Sequence, residues 1–252
     1  MSLPRVLLVE DDASLRRLAE LTLLGLPIEL LTCGGVAEAR LRLQEGPVRL
    51  LITDLMMAGE SGVDLLHSLA RTPALRAGAK LVVLSAGITP ELRRTLKDLD
   101  VWRALPKPAS MDALEGCVID ALGLDRPDAG EGGQASSVCA EALSADQQAA
   151  IARHFAGDAA LFLSFRATCL TQFAEDVREG DRAADSGDAA ALRRLAHSLK
   201  SVLRTLGQGA DADVAAQLES AAVAGNGSAA AAAWASLRAG LLRLARPASP
   251  EA

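Results

Sequence analysis

Between residues 5 and about 122, short leucine-rich or β-branched runs alternate with helical patterns. This alternation constrains the fold more than any other feature, because strand and helix in strict succession build a doubly wound α/β parallel sheet. The periodicity predicts five strands, near 5–10, 28–32, 48–53, 80–85 and 101–105. Helices are expected near 13–25, 35–45, 62–71, 89–98 and 110–122, with Ser110 as N-cap of the last.

Four of these strands end on residues able to do chemistry. Leu50-Leu51-Ile52 runs to Asp54 before a polar, Gly-containing turn; Val6 to Val9 leads into Glu10-Asp11-Asp12; Leu81 to Leu84 leads into Ser85; and Val101 to Leu105 leads into Pro106-Lys107-Pro108. The carboxyl edge of such a sheet is where open α/β folds keep their chemistry. Asp54 alone reads equally well as an acid that merely starts a turn. If the four strands are parallel neighbours, however, an acidic pair, a lone Asp, a hydroxyl and a lysine converge on one edge.

With these residues in order, the stretch from 5 to about 122 resembles the receiver domain of two-component response regulators. The match includes the turn D-x-x-M-(P)-x-x-x-G, present here as Asp54, Met57, Ala58 in place of proline, and Gly62. The resemblance implies phosphorylation at Asp54. It also implies Mg²⁺ bound directly by Asp11 and Asp54, through water by Glu10, and by the backbone carbonyl of Met56. Hard oxygen ligands suit that ion. Lys107 is expected to pair with the phosphoryl group, Ser85 to hydrogen-bond one of its oxygens, and the Lys107–Pro108 peptide to be cis. Asp12 is assigned to capping the first helix. One departure concerns signalling: the family's switch aromatic, three residues before the lysine, is Ala104 here. Trp102, two residues earlier on the same strand face, is left either as its substitute or as core.

Composition removes other classes. Aromatics are 2% of the chain, Tyr is absent and the net charge is -6, so base stacking and phosphate-backbone binding are both disfavoured. Cys33, Cys117, Cys139 and Cys169 lack C-x-x-C spacing and are expected to be reduced; no metal cluster is expected from them, and Cys33, Cys117 and Cys169 are expected to be buried. The first residues lack a signal peptide's apolar core and no apolar run reaches spanning length. A soluble, cytoplasmic protein is expected.

From Leu124 to Ala142 the periodicity gives way to Gly, Pro, Ser and acidic residues, the composition of a flexible linker. Beyond it the pattern is helical throughout: 143–156, 158–179, 188–206, 211–223 and 228–244, separated by Gly-containing joints. Five helices with short connections predict an antiparallel all-α bundle. Ala229 to Ala233 is read as a good helix former on a tightly packed helix.

One of these helices stands apart. At about 100° per residue, Leu192, Leu195, Ala196, Leu199, Val202, Leu203 and Leu206 share one arc, while Arg193, Arg194, His197, Lys200, Ser201 and Arg204 occupy the other. His197 is therefore expected to be exposed amid basic residues. His67 and His154 are read as ordinary surface or core residues. An imidazole can attack as the neutral base near pH 7, and Lys200 can neutralise a phosphoryl group that arrives on it. Through Ala196, His197, Leu199, Lys200 and Gly207, followed by Leu218-Glu219, the stretch resembles the histidine-containing phosphotransfer (HPt) domain, with Ser201 where the family usually has glycine.

The expected organisation is thus a receiver at 1–123, a linker at 124–142 and a phosphotransfer bundle at 143–246. The implied function is a phosphorelay in which Asp54 and His197 carry phosphoryl groups, with a sensor histidine kinase or a partner receiver as the other party. No P-loop or kinase-type Gly-rich loop occurs, so the chain is not expected to be a kinase, although the receiver is expected to catalyse its own phosphorylation from small donors and its dephosphorylation. An aspartate-nucleophile phosphatase would need a second Asp where Met56 stands. The alternative is an adaptor whose receiver gates the bundle by docking. Labelling of Asp54 by acetyl phosphate or a cognate kinase is expected to require a divalent cation, since Glu10, Asp11 and Asp54 repel one another. Undiminished labelling in excess EDTA would refute this.

Overall fold

A computed structural model describes residues 2–87, 89–125 and 143–246. The chain divides into two compact units, Met1–Ser137 and Val138–Ala252.

The first unit holds strands β1 (Arg5–Val9), β2 (Glu29–Cys33), β3 (Leu50–Asp54), β4 (Lys80–Ser85) and β5 (Arg103–Pro106). Between and after them lie helices α1 (Ala13–Leu23), α2 (Val36–Glu45), α3 (Gly62–Arg71), the short α4 (Pro73–Arg76), α5 (Pro90–Asp98) and α6 (Met111–Leu122). The strands pair in parallel in the order β2-β1-β3-β4-β5. Both faces of the sheet are covered, which is why its strands read as continuous apolar runs rather than alternating ones. Leu7, Val9, Leu51 and Val83 pack with Val36, Leu66 and Leu96 on one face. Their neighbours Val6, Leu8, Ile52 and Val82 pack with Leu114 and Val118 on the other, as the two-residue period of a strand requires.

Two of the boundaries that differ from expectation have a local cause. The fifth strand begins at Arg103 rather than 101, because the Val101 amide still bonds the Leu96 carbonyl at the end of α5. Leu124 packs on the first unit's core and its amide bonds Ile119, so it closes α6 instead of opening a linker; residues 126–142 of that expected linker lie outside the described residues, as does Cys139. Trp102 does not belong to the core. It is 38% exposed, with the Arg103 guanidinium 4.3 Å and the Lys80 ammonium 4.8 Å from its ring centroid. Cation–π attraction holds such a ring at the surface.

The second unit is helical: α7 (Ala145–His154), α8 (Ala159–Ser186), α9 (Ala189–Thr205), α10 (Gly209–Val223) and α11 (Gly227–Ala245). Helices α8 to α11 close a ring in which α8 and α10 each pack against both α9 and α11. Phe155, Phe162, Phe165 and Phe173 are buried, and the first two meet edge to face with centroids 5.4 Å apart. Ser144 caps α7 in a capping box with Gln147, which closes off the helix's free amides.

Gly180, expected to end a helix, lies inside α8. A Cβ there would come 2.0 Å from the Trp234 indole, so the residue is glycine to admit a ring from α11, not to break the helix. The same indole donates to Asp181 at 3.0 Å. Gly180→Ala gains about 1 kcal/mol of helix propensity but forces overpacking worth about 1–3 kcal/mol. Steric conflict is expected to win, giving a lower urea midpoint for this unit; an unchanged or raised midpoint would contradict the packing.

Candidate phosphotransfer sites

The strand register brings the first site together. Val9 lies opposite Thr53, Asp54 opposite Leu84 and Ser85 opposite Pro106, so Glu10, Asp54, Ser85 and Lys107 emerge at one edge. Glu10 and Asp54 are each 2% exposed. Between them lies the Lys107 ammonium, 2.6 Å from Glu10 Oε2 and 2.8 Å from Asp54 Oδ2. The Lys107–Pro108 peptide is cis. Asp54 Oδ1 accepts from the Met56 amide at 3.1 Å, and Asp11 Oδ2 from the Ala58 amide at 2.9 Å. The turn after β3 therefore clasps two carboxylates with its own backbone.

Gly62 makes that turn possible. A Cβ at this position would lie 2.0 Å from the Asp54 carbonyl oxygen, while its amide bonds the Leu55 carbonyl at 3.2 Å. Asp12 caps α1, accepting from the Ser14 and Leu15 amides at 2.8 and 2.9 Å. Ser85 is brought to the edge but its hydroxyl donates to the Gly87 carbonyl at 2.7 Å, turned to its own loop.

Glu10, Asp11 and Asp54 offer carboxylate oxygens within 4.8 Å of one another, a donor set that suits a hard divalent cation. One ammonium does not balance three carboxylates in a buried place. Burial pushes the Glu10 carboxyl up to about 8 against the pull of Lys107, with Asp54 adding to the rise. Burial also raises Asp11. For Lys107 burial favours the neutral amine, yet Glu10 and Asp54 outweigh it and hold the ammonium above its usual range.

The second site joins α9 to α10. His197 Nδ1 lies 2.8 Å from Glu219 Oε1, and the Lys200 ammonium pairs with Glu219 Oε2. Burial alone would raise Glu219, but hydrogen bonds from His197 and Lys200 take its carboxyl down to about 2. An ionised carboxylate only accepts, so in the neutral imidazole Nδ1 carries the proton and Nε2 the lone pair. Nε2 is itself buried and, among the described residues, has no hydrogen-bond partner.

The expectation that His197 is exposed is incorrect. It is 6% exposed, and Ser201 is 2%, because α9 packs against α8 and α10 together and its buried arc is wider than a single apolar stripe. Lys200 is likewise not free on a solvent face; its side chain is 12% exposed and ion-paired. Arg193 and Arg204 are exposed as expected. Sequence reasoning quoted Glu219 without giving it a role; the available signal was an acid 22 residues past the histidine, across a helix connection. Gly207, with φ +71°, would drive a Cβ to 2.7 Å from the Asp146 carbonyl of α7, so it ends α9 against a neighbouring helix. His154 is buried, with its Nδ1 unpaired and its basicity reduced by burial and by Arg153. His67 is exposed, and Cys33, Cys117 and Cys169 are buried.

A parallel sheet with a buried acidic cluster and lysine at its carboxyl edge, followed by a helical unit with an imidazole held by a carboxylate, defines a phosphotransfer protein of the two-component class. Family comparison agrees: residues 6–118 match the response regulator receiver domain and residues 162–246 match the Hpt domain. The chain is therefore a receiver domain fused to an Hpt domain. Among curated relatives, it is 28% identical over 148 residues to the DNA-binding transcriptional regulator NtrC of Azospirillum brasilense, covering 59% of this chain and 29% of that protein. It is 29% identical over 131 residues to the response regulator protein PilR of Pseudomonas aeruginosa, covering 52% of this chain and again 29% of the relative. The chain thus spans under a third of the length of either relative. Solved structures similar to it include a response regulator receiver protein from Pseudomonas putida, at 31% identity, TM-score 0.43, 49% of this chain and 98% of that one. Another is the chemotaxis protein CheY4 of Vibrio cholerae, at 22% identity, TM-score 0.45, 47% of this chain and 98% of that one. Among the described residues no helix is long and apolar enough to cross a membrane.

The raised Glu10 carboxyl has a consequence for stability without cation. An unfolded Glu10 loses its proton near the ordinary 4.5 and the folded one near 8. The proton therefore favours the folded state at low pH, and this contribution fades as pH rises through that window. In EDTA the first unit is expected to lose stability between those limits, and Glu10→Gln to flatten the loss. Parallel melting profiles for parent and variant would contradict the assignment.

Proposed function

We propose that the two units carry phosphoryl groups in a relay, Asp54 as the acceptor of a receiver at 1–123 and His197 as the carrier of a phosphotransfer bundle at 143–246, with 124–142 as linker. The observation that supports this best is the pairing of a buried Asp54 with Lys107 at one site and an unpartnered His197 Nε2 at the other.

At the receiver, an Asp54 oxygen attacks the phosphorus of an incoming phosphohistidine; a P–O bond forms, the P–N bond breaks, and the donor imidazole leaves with its electron pair. Lys107 is already held against Asp54 and neutralises part of the charge that arrives. Asp11 and Asp54, with Glu10 behind them and the Met56 carbonyl, would hold Mg²⁺, which supplies charge neutralisation for the phosphoryl oxygens when bound. Ser85 reaches the phosphoryl group only if its hydroxyl turns away from Gly87.

At the bundle, Nε2 attacks the phosphorus of an incoming phosphoaspartate; a P–N bond forms, the donor's P–O bond breaks and its carboxylate leaves with the electron pair, while Glu219 fixes the proton on Nδ1 and stabilises the imidazolium character that develops. Lys200 lies one turn from His197 and faces the charge that the phosphoryl group brings. The partners of this chemistry are a sensor histidine kinase, a partner receiver, or both. Exposed Arg193 and Arg204 flank the helix and suit the acidic edge of a receiver.

The test is a reconstituted relay with Asp54→Ala, His197→Ala and Glu219→Gln. Asp54→Ala is expected to abolish label on the receiver and His197→Ala label on the bundle. Glu219→Gln, which removes the charge while keeping the size, is expected to slow transfer through His197 at least about tenfold. Label retained on the bundle after His197→Ala would exclude His197 as the carrier.

A further inference from the structure

Arg16, in the second turn of α1, reaches back over the start of its own helix, as helical side chains lean toward the N-terminus. Its Nη1 donates to the carbonyl of Glu10 at 2.5 Å and to that of Asp11 at 3.3 Å. Pairing of β1 with both neighbours stops at Val9, so the sheet ladder does not reach these two carbonyls, and a partly buried carbonyl needs an acceptor's partner from elsewhere. Other groups of the turn are held too. The Glu10 amide bonds the Cys33 carbonyl at 3.1 Å, and the Asp12 carboxylate takes the first free amides of α1. Opposite the guanidinium lies Gly34, where a Cβ would sit 3.6 Å from Nη1.

We infer that Arg16 is a positioning residue for the divalent-cation site: by gripping the carbonyls of Glu10 and Asp11 it fixes the backbone from which both carboxylates project. This rests on the proposed cation reading of the Glu10, Asp11 and Asp54 cluster. A planar guanidinium spans two acceptors at once, and groups that orient ligands from behind commonly alter metal affinity ten- to a hundredfold. A second effect, simple neutralisation of the acidic cluster by a nearby positive charge, would also favour folding but would be screened by salt.

The experiment is titration of the full chain with Mn²⁺, followed by the electron paramagnetic resonance signal of the free ion, for the parent, Asp54→Ala, Arg16→Met, Arg16→Gln and Arg16→Lys. Arg16→Met removes the donors at similar length and Arg16→Gln is too short to span the carbonyls; both are expected to weaken Mn²⁺ binding about tenfold or more, with cooperative metal-free melting retained. Arg16→Lys, which keeps donors of similar reach but not the planar fork, is expected to recover part of the affinity, falling between Arg16→Met and the parent. The loss in Arg16→Met is expected to persist at high salt. Parent-like affinity in Arg16→Met and Arg16→Gln, a loss that vanishes at high salt, or loss of cooperative melting in both would each overturn the inference. A parent chain that binds no more Mn²⁺ than Asp54→Ala would overturn the cation reading as well.

Discussion

The first unit depends on keeping negative charge buried at the end of a parallel sheet. Lys107 is the physical answer, an ammonium 2.6 and 2.8 Å from carboxylates that lie far away in sequence. Its attraction to Glu10 and Asp54 outweighs the desolvation of three charged groups only in part, and the raised Glu10 carboxyl records the remainder. A site in this condition is poised to take up positive charge. That state follows from the sheet's order, which sets β1 next to β3 and β5 one strand beyond β4.

The second unit solves a related problem with a different group. Here the carboxylate is ionised and shared, with Glu219 accepting from His197 and Lys200. The carboxylate's charge decides which nitrogen of the neutral imidazole holds the proton, and so which one carries the lone pair. Both sites therefore use buried electrostatics to fix a protonation state before any partner arrives. In each, glycine allows the close approach on which the geometry rests: Gly62 against the Asp54 carbonyl and Gly207 against α7.

Much of this was legible in the chain itself. Strand positions followed from apolar runs, and the convergence of Glu10, Asp54, Ser85 and Lys107 followed from placing those runs in one parallel sheet. The burial of His197 did not follow, because helical periodicity sorts residues by angle and is blind to how many helices will pack around them. Gly180 failed for a related reason: a glycine reads as a break in sequence, and only the Trp234 ring against it shows that it is a packing residue. Trp102 was read by strand parity, which does not register that two cations hold it at the surface.

The sequence by itself determined the succession of elements, the parallel sheet and the helical second unit, and it singled out Asp54 and His197 as candidates, since these depend on local periodicity and on residue types at strand ends and on one helix. Tertiary structure alone decided that Glu219 fixes the tautomer of His197, that Ser85 turns toward Gly87, and that Arg16 grips the carbonyls behind the acidic pair. Those are contacts between side chains and distant or non-repeating backbone. Their geometry depends on how elements pack, which no one-dimensional period encodes.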